Sequence, residues 1–159
     1  MQDKPVFQHK LTVPFQDIDA AGVVFYAHLF RYAHEAYEQV MQQIGYSLHA
    51  LLAEGKYLLP LVHAAADYRR PLHHADKLHI ELRLQRLGQT SFTLGYRFLA
   101  EDQTEYASLE TVHTVLDRTT QRSLPLPDSL RDALRRLSPD SGSSPDRGIE
   151  PYSTNREGR

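Results

Sequence analysis

Two carboxylates two residues apart, Asp17 and Asp19, stand in the run DIDAAG at residues 17–22, directly ahead of a long stretch with one apolar stripe. The placement matters because the first turn of a helix leaves N–H groups without intrahelical partners and carries a partial positive charge. Such donors bind a carbonyl oxygen and stabilise the oxyanion that forms when the carbonyl is attacked. A carboxylate beside them serves as a nucleophile, passing through a mixed anhydride, or as a general base that activates water. Either route suits hydrolysis of a thioester. The same residues equally suit a local task, since aspartate is favoured in turns and at helix starts. Spacing alone does not separate these readings.

Other chemistry is thinly represented. The chain has no cysteine, which removes a thiol nucleophile, a disulfide framework and a zinc-thiolate site together. Its nine histidines are scattered without an HExxH-type spacing. The adjacent His73 and His74 lack further ligands at suitable spacing, so neither a metal nor a cofactor is expected. Glu35 falls opposite the apolar stripe of its segment, which favours a solvent-facing or interface role. His28 and Arg31 share that outer face and read as solvated or subunit-contact side chains.

The elements that must position the carboxylates follow from periodicity. Phe7, His9, Leu11, Val13 and Phe15 alternate with mostly polar neighbours, as in a half-buried strand, and Pro14 puts that strand at an edge or near its end. After the DIDAAG turn, closed by Gly22, the residues Tyr26, Leu29, Phe30, Ala33, Tyr37, Val40, Met41 and Ile44 recur at three- and four-residue steps up to Gly45. This predicts a helix about 30 Å long, with a shorter one to follow from Ser47, a suitable N-cap, to Gly55. Its aromatic residues Phe25, Tyr26, Phe30 and Tyr37 suit either the core or the wall of an acyl pocket.

Beyond the helices the period changes. Residues 57–70 read as extended up to Pro71; Leu78 to Leu84 and Phe92 to Phe98 alternate; Ala107 to Val115 supply a further strand with an irregular pattern that suggests a bulge. A turn is expected at Asp117 to Arg122, then a short amphipathic helix carrying Leu130, Ala133, Leu134 and Leu137. One long helix followed by a run of strands indicates an α+β domain, an antiparallel sheet curled round the helix, over residues 1–137. Residues 138–159, rich in Ser, Pro, Gly, Asp and Arg, are expected to be a disordered tail.

Composition bounds the function classes. The chain has 159 residues, enough for one core that buries about two thirds of the unfolded surface. With 41% hydrophobic and 24% charged residues it is ordinary globular material. A formal net charge of −2 without blocks of like charge gives no footprint for nucleic acid. No stretch reaches the roughly 18 apolar residues of a membrane span and the N-terminus has no apolar signal core, so a cytoplasmic location is the expectation.

The run DIDAAGVVFYAHLF at residues 17–30 resembles the signature of the 4-hydroxybenzoyl-CoA thioesterase family, in which an Asp, two small residues and a Gly precede the central helix of a hot-dog fold. The resemblance continues through HEAYE at 34–38 and VHAAADYRRPL at 62–72, and covers nearly all of residues 7–137. It implies that Asp19 is the catalytic carboxylate, that the backbone N–H of Tyr26 is the oxyanion donor, and that Asp17 holds the turn. Binding of coenzyme A would draw on Arg69, Arg70 and Lys77 around the proline turn, across a subunit boundary. Within the family, HEAYE and HAAADYRRPL look most like the hydrolases of 1,4-dihydroxy-2-naphthoyl-CoA in phylloquinone and menaquinone synthesis. A broad acyl-CoA or acyl-carrier-protein thioesterase and a non-catalytic acyl-CoA-binding protein are the alternatives. The resemblance also implies a homo-oligomer, a dimer joined edge to edge and a tetramer built as a dimer of dimers.

Overall fold

The structure, a computed structural model, describes residues 7–138. The tail expected at 138–159 therefore lies, apart from Ser138, outside the described residues.

Seven strands and three helices follow in the order β1 (Phe7–Thr12), α1 (His28–Gln43), α2 (Leu48–Glu54), β2 (Tyr57–Leu58), β3 (Leu61–Tyr68), β4 (Lys77–Leu87), β5 (Ser91–Leu99), β6 (Glu105–Thr114), β7 (Leu116–Asp117) and α3 (Asp128–Arg135). Five strands form one antiparallel sheet in the order β1-β4-β5-β6-β3, and β2 pairs with β7 as a small separate ribbon. This is the α+β arrangement expected from the pattern of elements.

The sheet turns its inner face to α1. Leu78, Ile80 and Leu82 of β4, Phe92, Leu94, Tyr96 and Phe98 of β5, and Ala107 and Leu109 of β6 are buried there against Leu29, Ala33, Val40 and Met41 of the helix. The alternation that marks these strands in the sequence is the consequence, because successive side chains point to opposite faces. α1 stops where Gly45 takes a left-handed φ of 89°, and α2 begins with the Ser47 hydroxyl accepting the Ala50 N–H at 3.5 Å. α3 covers the β4 end of the core with Leu130, Ala133 and Leu134, and Arg136 donates to the Ile44 carbonyl at 2.8 Å.

Several expectations need correction. The segment 57–70 is two strands in different sheets, since the chain breaks at Pro60 between β2 and β3. The bulge expected in the last long strand is present, at its start: Phe98 pairs with Ala107 but Leu99 with Glu105, leaving Tyr106 extra. Phe15 does not continue the buried face of β1. It enters a 3-10 turn, Phe15–Asp17, and is 75% exposed against His74. The long helix starts two residues later than the stripe suggests, at His28, so it measures about 24 Å and Tyr26 lies outside it, 62% exposed.

Candidate active site

The loop before α1 is a small hairpin. Ile18 bridges Val24, the Asp19 N–H donates to Val23 O at 2.9 Å, and the Gly22 N–H returns to Asp19 O at 3.0 Å. Gly22 closes it with a φ of 81°, a left-handed conformation in which a side chain would be strained. Asp19 therefore stands at the start of a tight turn, half-buried, with Oδ1 accepting the Ala21 N–H at 2.8 Å. Part of the local capping role is real. The second carboxylate oxygen accepts no hydrogen bond among the described residues and is available to a water or a carbonyl carbon.

The base of the hairpin is fixed by Asp17. Its main-chain oxygen accepts the Phe25 N–H at 3.0 Å, and its side chain, 4% exposed, accepts the Tyr32 hydroxyl at 2.5 Å and ion-pairs with Arg31. His28 Nε2 lies 3.8 Å from the same carboxylate. Burial raises the Asp17 carboxyl, but the Tyr32 and Arg31 hydrogen bonds and the Arg31 charge outweigh it and hold it below the usual carboxylate range. The structural role implied for Asp17 agrees with this arrangement. The reading of His28 and Arg31 as solvated or subunit-contact side chains is refined: both stay partly exposed, but one end of α1 turns them onto Asp17. Glu35 sits on the outer face as expected, bonded to Arg31 at 2.9 Å and 3.6 Å from His9 Nε2.

The unpaired amides sit just ahead of the helix rather than inside its first turn. His28, Leu29 and Phe30 donate to Phe25, Tyr26 and Ala27 carbonyls, whereas the N–H groups of Tyr26 and Ala27 donate to no acceptor among the described residues. The Tyr68 hydroxyl holds the Tyr26 carbonyl at 2.9 Å, and the rings of Phe25, Tyr26 and Tyr68 pack together above it. An open donor at Tyr26 and an open carboxylate oxygen at Asp19 thus lie on one loop that is pinned at its base by Asp17.

The three cations considered for phosphate binding are not gathered. Arg69 bonds Glu105 at 3.0 Å on the outer face of the sheet, and Arg70 follows it at the β3 edge near Asp102. Lys77 opens β4, beside Lys10 in a surface groove towards the opposite edge. His73 and His74 diverge, one towards Asp76 at 3.8 Å and the other onto Phe15.

A cavity of about 270 Å³ opens between α1, α2, β2 and the inner face of β6. Phe30, His34 and Tyr37 form its α1 wall, leucines of α2 and the β2–β3 segment its mouth, and Tyr96, Thr111 and His113 its floor. The Tyr37 hydroxyl and His113 Nε2, both sealed from solvent, have no hydrogen-bond partner among the described residues. In the sequence His113 falls within the strand read at Ala107 to Val115, with no role of its own. Two polar residues, Thr111 and His113, at successive inward positions of one strand were the available signal.

A sequence profile of the thioesterase-like superfamily matches residues 13–134, most of the described chain. The chain belongs to this superfamily. The 1,4-dihydroxy-2-naphthoyl-CoA hydrolase of Synechococcus elongatus is 38% identical over 130 residues, 81% of this chain and 95% of that protein. The hydrolase of the same name from Thermosynechococcus vestitus is 34% identical over 82% of this chain and 89% of its own. A 1,4-dihydroxy-2-naphthoyl-CoA thioesterase from Synechocystis superposes with a TM-score of 0.78 at 30% identity, covering 84% of this chain and 98% of that one. A gentisyl-coenzyme A thioesterase superposes at 0.72 with 26% identity over 80% and 98%. With these likenesses, the curled sheet around α1 is the hot-dog fold of the thioesterases, as the motif resemblance implied.

Proposed function

We propose that this protein hydrolyses acyl-CoA thioesters and that its substrate is 1,4-dihydroxy-2-naphthoyl-CoA, in phylloquinone or menaquinone synthesis. The observation that carries the reading is the open N–H of Tyr26 on the same pinned loop as the open carboxylate oxygen of Asp19. Together they supply the two things thioester hydrolysis requires, a donor for the oxyanion and a group that attacks or activates water. The substrate rests on relatives of that name matched at 34% and 38% identity over nearly their whole length.

In this mechanism the thioester carbonyl oxygen accepts the Tyr26 N–H. Asp19 then either adds to the carbonyl carbon, expelling the CoA thiolate and leaving an anhydride for water to open, or takes a proton from a water that adds directly. Because Arg70 and Lys77 stand towards opposite edges of the sheet, they are phosphate contacts in this reading across a subunit boundary, with Arg69 a weaker one because Glu105 already neutralises it. β3 supports an edge-to-edge dimer: it is an edge strand with Leu61, Val62 and Tyr68 exposed, a surface that invites pairing with a second chain. The oligomer is read as a dimer of dimers, measurable by analytical ultracentrifugation. A cytoplasmic location is part of this reading; none of the described helices is long and apolar enough to cross a membrane.

The leucines at the cavity mouth favour a second reading, a broader acyl-CoA or acyl-carrier-protein thioesterase. The kcat/KM values for dihydroxynaphthoyl-CoA, hydroxybenzoyl-CoA and short and long aliphatic acyl-CoAs separate the two. A preference for the naphthoyl thioester is the expected result; aliphatic turnover at equal or higher efficiency would discard the quinone assignment. Binding of these thioesters without turnover of any would leave an acyl-CoA-binding protein.

A further inference from the structure

Resting on the reading of Asp19 and the Tyr26 N–H as the groups that hydrolyse a thioester, we propose that Tyr68 is a positioning residue for that reaction: by holding the Tyr26 carbonyl, its hydroxyl aims the N–H of Ala27 as a second donor to the oxyanion.

The two open amides point the same way. The Phe25 carbonyl accepts the His28 N–H at 2.9 Å and the Tyr26 carbonyl accepts the Leu29 N–H at 3.4 Å, so both carbonyls are directed along α1. A trans peptide sets its N–H opposite its C=O, which turns the N–H groups of Tyr26 and Ala27 back out of the helix at its positive end. Ala27 already has helical angles, φ −66° and ψ −24°. Neither N–H has an acceptor among the described residues, and a developing oxyanion has lone pairs for both.

The two peptides differ in how they are held. The Phe25 carbonyl shares its peptide with the Tyr26 N–H and is fixed by a helix bond of ordinary length. The Tyr26 carbonyl shares its peptide with the Ala27 N–H, and its helix bond is longer than an ordinary N–H···O bond. The Tyr68 hydroxyl supplies the tighter restraint there, at 2.9 Å. A carbonyl has no proton to give, so Tyr68 is the donor. A hydrogen bond received by the carbonyl also polarises the peptide and strengthens its N–H as a donor.

Tyr68 acts from a fixed point. It closes β3 opposite Ala107, and the next two N–H groups, those of Arg69 and Arg70, both donate to the carbonyl of Tyr106, the bulged residue of β6, at 2.9 and 3.1 Å. The bulge thus terminates the strand pairing directly after Tyr68. A few residues on, the Leu72 carbonyl accepts the Val24 N–H at 2.8 Å, so the stretch of chain that carries Tyr68 also holds the Asp19 hairpin. The Tyr68 ring is 47% exposed and contributes little to the core; it meets Tyr26 edge-on at 6.5 Å.

The test is a two-by-two comparison in the full chain. Its four forms are the wild type, Tyr68→Phe, an ester in place of the peptide between Tyr26 and Ala27, and the two changes together. The ester, made by placing lactate at position 27, removes that N–H and leaves every side chain as it is. Values of kcat and KM are measured on 1,4-dihydroxy-2-naphthoyl-CoA and on a short aliphatic acyl-CoA. Tyr68→Phe should lower kcat about tenfold with KM within about twofold and the melting temperature within about 2 °C, and the ester should lower kcat about 100-fold. In the ester background Tyr68→Phe should cost less than about twofold more, because the N–H it acts through is gone. An unchanged kcat in Tyr68→Phe or in the ester form would overturn the proposal. So would a tenfold loss that persists in the ester background, which would place the action of Tyr68 elsewhere, or a fall of several degrees in the melting temperature of Tyr68→Phe, which would make its role structural. A wild type that hydrolyses neither thioester would contradict the hydrolase reading itself, and the proposal with it, before any variant is made.

Discussion

Two polar centres are buried against α1, and they differ in how they are satisfied. At the N-terminal end the Asp17 carboxylate is surrounded by the Tyr32 hydroxyl, the Arg31 guanidinium and His28, and its backbone holds Phe25. Further along the helix the Tyr37 hydroxyl and His113 Nε2 are buried as deeply and have no protein partner among the described residues. The first centre is complete within the chain and acts as a fastening for the Asp19 loop. The second is left without partners inside the core. Burial alone therefore does not tell the two centres apart; their hydrogen-bond partners do.

That contrast is breakable. Asp17→Ala should have the largest effect on stability, about 2–3 kcal/mol, because it strips Tyr32 of its partner and leaves Arg31 to find water from its half-exposed position. Urea denaturation measures it, and activity should fall with it as the loop loses its base. The same centre sets an acid limb. Asp17 has a folded pKa below its unfolded value of about 3.9, so its stabilisation is complete above roughly pH 5 and is lost as the pH falls through the lowered folded pKa. Between pH 5 and 2 the wild type should lose stability more steeply than Asp17→Asn, which has no proton to take up at that position.

Gly22→Ala should cost about 1–2 kcal/mol, since φ is 81° there and nothing crowds the added Cβ, so the backbone strain acts alone. It should also lower kcat/KM by moving Asp19. The smallest effect sharpens the comparison from the other side. Tyr37→Phe removes an unpartnered hydroxyl and should leave the melting temperature unchanged or raise it by a few degrees, about 1 kcal/mol. A drop of several degrees would mean that Tyr37 is a structural group like Tyr32.

Much of the fold was legible because one physical rule wrote it: alternating apolar residues in β4, β5 and β6, and a three-to-four spacing in α1, each follow from facing a single core. The DIDAAG turn was legible as a turn from Asp19 and Gly22. What failed did so for local reasons. Tyr26 fits the helical stripe by spacing, yet the chain enters α1 only after Ala27, and the aromatic ring lies outside with Phe25 and Tyr68. Phe15 fits the strand alternation, but the turn after Pro14 rotates it outward. His28 and Arg31 lie on the polar face of the helix, and nothing in the helix itself shows that a carboxylate eleven and fourteen residues earlier folds against that face. The cavity depends on α2 and the short β2–β7 ribbon closing over β6, a long-range arrangement to which no single segment is committed.

The central claim is that Asp19 performs the chemistry while Asp17 only holds its loop. The most direct test is Asp19→Asn, with kcat/KM measured on dihydroxynaphthoyl-CoA and the affinity for a non-hydrolysable thioether analogue measured beside it. The account predicts a loss of turnover of about 10²- to 10⁴-fold with affinity and melting temperature nearly unchanged, because an amide can keep the Ala21 hydrogen bond but can neither attack nor take a proton. A wild-type rate in Asp19→Asn would contradict it.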